Sequence, residues 1–266
     1  MQRRAFIASA AALAAFGLAG CGKKEAAGPV TLAVGATPVP HGDILKFIAP
    51  ALEKQGVKLK VVEFTDYVKP NIALADKELD ANFFQHVPYL ENFAKERNLK
   101  LSVLCPVHIE PMGVYSKKVK SLADLKEGAS VAIPNDPTNG GRALKVLADA
   151  GLFKLKPEAG VSGTPADIVE NPKKIRIQEL EAATLPRTLD DVDAAVINSN
   201  YAMSVNLSPA KDALTIESKD SPYANVVAIR TGDEREALKK LAAALRSPEV
   251  KKFIEENYKG AVVPAF

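Results

Sequence analysis

The chain has 266 residues, 47% of them apolar and 25% charged, with 35 basic residues against 32 acidic ones and a net charge of +3. This is ordinary globular composition. It excludes long disorder, collagen-like repeats and a polytopic membrane protein, and so small a charge excess is no argument for nucleic acid as a partner. Arg3 and Arg4 precede an apolar run from Ala5 to Ala19, broken only by Ser9 and Gly17. That run is too short for a spanning helix of about 20 residues and suits the core of an export signal over residues 1–20. Without it, 33 basic residues face 32 acidic ones. The remaining length exceeds the usual single core of about 100–200 residues, so two lobes are expected.

Leu18-Ala19-Gly20-Cys21 resembles a bacterial lipoprotein cleavage motif, in which the cysteine is acylated and becomes the new N-terminus. Residues 21–28, small and polar, read as a tether. The Arg-Arg-x-Phe start faintly resembles a twin-arginine export signal, but the general secretory route is the expectation. With Cys21 lipidated, Cys105 has no disulfide partner. It lies in the apolar run Leu101–Cys105 and is expected to be a buried, inert thiol.

Strand and helix signals alternate after the tether. Val30–Val34 reads as a strand. Ile44, Phe47, Ile48, Ala51 and Leu52 keep helical spacing up to Gly56, with Pro50 expected to kink the helix or delay its start. Lys58–Phe64 reads as a strand, Pro70 as a helix first turn, Leu79–Phe84 as a strand, Pro88–Leu99 as a helix and Lys100–Leu104 as a strand. A second set begins near Leu122, with a strand at Ser130–Pro134 and a helix at Thr138–Ala150. A surface loop follows over Pro157–Pro172, then strands at Ile175–Leu180 and Val192–Ile197. The tail from Asp233 to Tyr258 reads as helical, with Leu238, Leu241, Ala242 and Leu245 on one face. The alternation predicts an α/β fold with mixed, mainly parallel sheets flanked by helices.

Leu79–Gln85 can be laid over Val192–Asn198, each a strand ending in an amide before a helix. In open α/β sheets, ligands bind beyond the carboxyl ends of strands, so two such strands would face each other across a cleft. Signatures of catalysis are missing from the sequence: no Gly-x-Ser-x-Gly elbow, phosphate loop or Gly-x-Gly-x-x-Gly occurs. A zinc site from His41, His86 and His108 with a carboxylate is conceivable, but the three lack paired ligand spacing; no metal, cofactor or enzymatic activity is expected. Strand alternation should send one of Phe83 and Phe84 to the core and the other to the cleft. Asn139-Gly140-Gly141-Arg142 opens a helix whose free amides favour an anion, whose glycines allow close approach, and whose arginine can grip a carboxylate or simply face solvent.

Four segments carry a resemblance: Ala81-Asn-Phe-Phe-Gln-His-Val-Pro-Tyr-Leu90, Ile133–Leu144, Ala195–Ala202 and Ser221–Asn225. In this order they resemble the signatures of the methionine-binding lipoprotein family (MetQ/NlpA type) of ABC importers, and the likeness covers the whole mature chain. The resemblance implies a two-lobe periplasmic-binding-protein fold with two chain crossings, lobe one spanning 29–117 plus 224–266 and lobe two 118–223. It places the ligand carboxylate on Arg142 and assigns the ligand's polar ends to Asn198 or Asn200 and to Asn225. It builds the apolar side-chain pocket from Tyr67, Phe84, His86 and Tyr89. It implies methionine, first L-methionine, as ligand; the alternatives are D-methionine, another apolar amino acid, a methionine-containing dipeptide or a metal. The implied partners are an ABC permease with its ATPase subunits and, through the Cys21 lipid, a membrane of the bacterial envelope; a monomer without nucleic acid is expected.

Overall fold

The computed structural model describes residues 28–218 and 221–266. The export signal, Cys21 and nearly all of the tether fall outside the described residues. In chain order the elements are β1 (Val30–Ala36), α1 (Asp43–Glu53), β2 (Val57–Glu63), α2 (Lys69–Ala75), β3 (Ala81–His86), α3 (Val87–Glu96), β4 (Leu101–Ile109) and β5 (Gly113–Tyr115). There follow β6 (Ser130–Pro134), α4 (Pro137–Asp149), β7 (Lys154–Leu155), β8 (Ile168–Glu170), β9 (Arg176–Leu180), β10 (Ala194–Ile197), α5 (Ser199–Ser204), α6 (Pro209–Asp212) and β11 (Thr215–Ile216). The chain closes with β12 (Ala224–Arg230), α7 (Glu236–Leu245), α8 (Pro248–Tyr258) and β13 (Val263–Pro264).

These strands form two main sheets. One runs in the order β13-β4-β12-β3-β1-β2, the other β11-β5-β10-β6-β9. Each is parallel in one half, at β3-β1-β2 and β10-β6-β9. Each is antiparallel where strands that carry the chain between sheets join it, at β13-β4-β12-β3 and β11-β5-β10. The mainly parallel expectation therefore describes only the half of each sheet built from strand–helix–strand units.

Alternation along the strands divides the side chains between faces. In β1, Leu32, Val34 and Ala36 join a core with Leu45, Leu238, Leu241 and Ile254 from α1, α7 and α8, while Ala33 faces Leu74 and Leu90 of α2 and α3. In the second sheet, Val131, Ile133 and Val196 pack on Leu144 and Leu147 of α4. Ala132, Ala195 and Ile197 face the opposite side, with Leu185, Leu189 and Tyr201. Both sheets thus bury both faces.

Several expectations are corrected. Pro50 does not delay the start of α1: it sits in the last turn of Asp43–Glu53 and its carbonyl accepts from Lys54 N–H. The tail is two helices, because Ser247 caps a new one by accepting from Val250 N–H, with Pro248 in its first turn. The loop Pro157–Pro172 contains β8, which pairs with β7. β4 runs on through Cys105 and Pro106 to Ile109, with a pairing irregularity opposite Pro106 that accommodates its missing N–H. Cys105 is buried, and burial pushes its thiol up to about 11, as an inert thiol requires. β5 pairs with β10 in the second sheet, so the chain passes from the first sheet to the second between Ile109 and Gly113.

Gly140 and Gly141 allow close approach, but of the protein's own backbone. A Cβ on Gly141 would lie 2.5 Å from the Val161 carbonyl oxygen, and one on Gly140 2.9 Å from that of Pro134. Gly141→Ala is therefore expected to lower stability by about 1–3 kcal/mol in urea unfolding, although Gly→Ala inside a helix otherwise gains up to about 1 kcal/mol. A more stable variant would show that the Val161 segment gives way freely.

Candidate functional site

The carboxyl ends of β3, β6 and β10, the start of β12 and the first crossing converge on one cavity. About 330 Å³ of atom-free space, open solvent included, lies within it. Every residue named from the resemblance lines it: Tyr67, Phe84, His86, Tyr89, Arg142, Asn198, Asn200 and Asn225. Gln85, Glu110, Asn139 and Ser199 line it too.

The apolar wall comes from the first sheet's side. Phe83 turns to the core beneath His41 and His108, and Phe84 turns to the cavity, as alternation requires. Tyr67 lies 5.8 Å from both Phe84 and Tyr89, ring centre to ring centre. Its loop is fixed at both ends: Asp66 Oδ1 accepts from the Val68 and Lys69 N–H groups, and Tyr89 Oη donates to the Tyr67 carbonyl at 2.9 Å. Beneath this wall Asn71, Asn82 and Gln85 bond one another at 2.7–2.9 Å, holding β3 against α2.

His86 ends β3 and caps α3. Its Nδ1 accepts from Tyr89 N–H, which leaves the hydrogen on Nε2, and Nε2 donates to Asn139 Oδ1 at 3.1 Å. The same oxygen accepts from Asn198 Nδ2 at 2.8 Å. Asn139 is itself held by Asp136, whose carboxylate accepts from its backbone N–H and its Nδ2. The anion at the start of α4 is thus Asp136, the protein's own cap, and the expectation of free amides there is corrected. Tyr67 Oη donates to Asn200 Oδ1 at 2.5 Å, a second side-chain bond between the groups carried by the two sheets.

Arg142 is buried rather than solvent-facing. Its Nε and Nη2 donate to the Glu217 carboxylate, Nη2 also donates to the Glu110 carbonyl at 2.8 Å, and its guanidinium carbon sits 4.3 Å from the centre of the Tyr223 ring. None of these bonds uses Nη1. Asn198 Oδ1 is buried without a hydrogen-bond partner. A donor edge and an orphan acceptor therefore share the cavity, which suits a small ligand carrying both a carboxylate and an ammonium group. The strand alternation that would separate Asn198 from Asn200 ends at Ile197: α5 begins at Ser199, and both amides reach the cavity.

The three histidines do not converge. His86 faces Tyr89 and Tyr223, whereas the His41 and His108 rings lie 4.9 Å apart and both reach Glu110. All three are held uncharged by burial, His41 at about 4 and the other two at about 3. Asn139, Glu110, Glu217 and Tyr223 are contributors that site-by-site sequence reading missed. Asn139 stood beside Arg142 in a recognised segment, and only its side-chain role was not read.

Two α/β sheets with a polar cavity between their strand ends form the architecture of periplasmic substrate-binding proteins. The fold is similar to that of a periplasmic substrate-binding protein of an ABC transporter from Coxiella burnetii, with a TM-score of 0.84 and 44% identity over 88% of this chain and 100% of that one. It is also similar to a nutrient binding protein from Burkholderia cenocepacia bound to methionine, with a TM-score of 0.85 and 50% identity over 88% of this chain and 100% of that one. Residues 32–266 match the NlpA lipoprotein family, and the chain belongs to that family. Its sequence is similar to the probable D-methionine-binding lipoprotein MetQ of Vibrio cholerae, 42% identical over 98% of this chain and 97% of that protein.

Nitrogen-detected NMR of the imidazoles should show His86 as the neutral Nε2–H form, with none of the three histidines titrating between about pH 5.5 and 8. A histidine with a midpoint near its ordinary 6.5 would contradict the burial and bonding described.

Proposed function

We propose that this protein is the lipid-anchored substrate-binding component of an ABC importer, a monomer that captures methionine between two lobes and presents it to a membrane permease. Residues 29–109 with 224–266 form one lobe and 113–216 the other, joined by the crossing at 110–112 and by the chain's return to Ala224. The role is binding, not catalysis.

The observation that carries this reading is that Arg142, whose bonds leave Nη1 unused, and Asn198, whose Oδ1 is an orphan acceptor, line one cavity beside an aromatic wall. A zwitterion needs each charged end matched, because a buried unpaired polar group costs about 1–3 kcal/mol. Arg142 takes the carboxylate, and Asn198, Asn200 and Asn225 complete the polar ring. Tyr67, Phe84 and Tyr89 receive the side chain, and a thioether gains about 0.3–1.5 kcal/mol against aromatic rings. His86, uncharged and bonded at both nitrogens, is a wall that positions Asn139. The names of the relatives, which include methionine-binding lipoproteins and a methionine-bound structure, support the same ligand.

Bonds across the cleft, Tyr67 to Asn200 and His86 to Asn139, belong to the closed arrangement. A ligand held by both lobes favours that arrangement by its differential affinity, and hinge bending at the two crossings opens it.

The test is calorimetric titration of protein unfolded and refolded to strip carried-over ligand. L-Methionine should bind and leucine should bind more weakly; no methionine response would end the proposal. Arg142→Ala should weaken binding by about 2–5 kcal/mol, or about 30-fold to several thousand-fold, with circular dichroism confirming a folded variant. Unchanged affinity would remove Arg142 from the site. Cys21→Ala, expressed from the full-length gene, should move the protein from the membrane to the soluble fraction, and persistence in the membrane would refute lipid anchoring at Cys21.

A further inference from the structure

Glu110 sits in the first crossing, lines the cavity and is buried, 5% exposed. His108 Nε2 lies 2.8 Å and His41 Nε2 3.2 Å from its Oε1. Thr37 Oγ1 lies 2.7 Å from His41 Nδ1, so a hydroxyl donating there leaves the imidazole hydrogen on Nε2, between Glu110 and Asn225 Oδ1. His108 has no partner at Nδ1, which is far cheaper to leave as a bare acceptor than as an N–H donor. His108 therefore donates from Nε2 to the carboxylate, while the His41 Nε2–H, directed at Asn225 Oδ1, lies beside it. A carboxylate offers about four lone-pair sites, so acceptor positions remain beyond the one that His108 fills.

The charges point the same way. Arg142 is offset by Glu217. The two histidines beside Glu110 are uncharged, and the cation whose charge reaches its carboxylate, Arg142, is already paired with Glu217. Burial, the largest effect on the group, raises its proton affinity against the pull of Arg142. What it lacks is a small cation bearing hydrogens.

We infer that Glu110, braced by His41 and His108, receives the α-ammonium of the ligand beside Asn198 Oδ1, and so selects ligands with a free amine at that end. This deepens the methionine reading and rests on it. His41 and His108 act as positioning residues: they aim the carboxylate without touching ligand. His41, His108 and Glu110 offer ligand atoms that lie within 4.8 Å of one another, a set that a divalent cation could take; that occupant is an outcome of the test.

The experiment titrates refolded protein with L-methionine, with 4-(methylthio)butanoate, which lacks only the amine, and with zinc. Wild type should prefer methionine over the amine-free acid by about 100-fold or more. Glu110→Gln should collapse that preference to within about 10-fold, by losing methionine affinity while keeping affinity for the amine-free acid. A merely structural defect would weaken both ligands together and leave the ratio intact, which would overturn the inference. His108→Gln, which keeps an N–H donor, should preserve the ratio, and His108→Leu should reduce it; equal behaviour of the two would remove His108 from the positioning role. Stoichiometric zinc binding lost in Glu110→Gln would also overturn the inference, in favour of a metal site. If wild type binds no methionine at all, the functional proposal fails instead.

Discussion

The architecture turns on one buried oxygen. Asn139 Oδ1, at the start of α4, accepts a hydrogen bond from His86 at the end of β3 and another from Asn198 at the end of β10. A buried amide oxygen in this position must be satisfied, and its two donors come from opposite sheets. Asp136 fixes the amide from behind through its N–H and Nδ2, so the oxygen cannot turn away. The tautomer of His86, the direction of Asn198 and hence the orphan oxygen of Asn198 all follow from it. A cleft held this way offers a preorganised acceptor at little further cost in ordering.

Around that point the site is polar where the second sheet and the crossings supply it and aromatic where the first sheet does. Arg142 is shared: one edge of its guanidinium is neutralised by Glu217 and anchored on the Glu110 carbonyl, and the other is left for a ligand. Buried arginine alone would be costly; paired on one edge it is held rigid and remains selective for a planar carboxylate. Glu110 links the two ends of the site, its carbonyl on Arg142 and its carboxylate on the histidine pair, within a three-residue crossing. On the proposed reading, both ends of the ligand are met beside this crossing.

How much of this was legible in the sequence depended on the distance over which each signal acts. The opposite facing of Phe83 and Phe84 and the helix opened by Asn139–Arg142 are local consequences of period and capping, and they stand; the strand ends expected at Gln85 and Asn198 fall one residue away, at His86 and Ile197. Ser247-Pro248 was an equally local cap signal that the uniform amphipathic spacing of the tail concealed. β5 is three residues long and carries no periodicity to read, so its place in the second sheet was not legible. The roles of Asn139 and Glu110 were out of reach for another reason. Their partners lie 53, 59 and 32 residues away, and nothing in the local pattern says which distant donor arrives. Even the glycines of α4 were read for the right property and the wrong neighbour: they admit the Val161 segment and the Pro134 carbonyl, not a ligand.

The central claim is that this cleft binds an amino acid by matching both of its charged ends. Electron density for the refolded protein crystallised with L-methionine tests it most directly. The account predicts the ligand carboxylate on Arg142 Nη1, its ammonium between Asn198 Oδ1 and Glu110, and its thioether against Tyr67, Phe84 and Tyr89. A ligand seated in the reverse orientation, or outside this cavity, would contradict it.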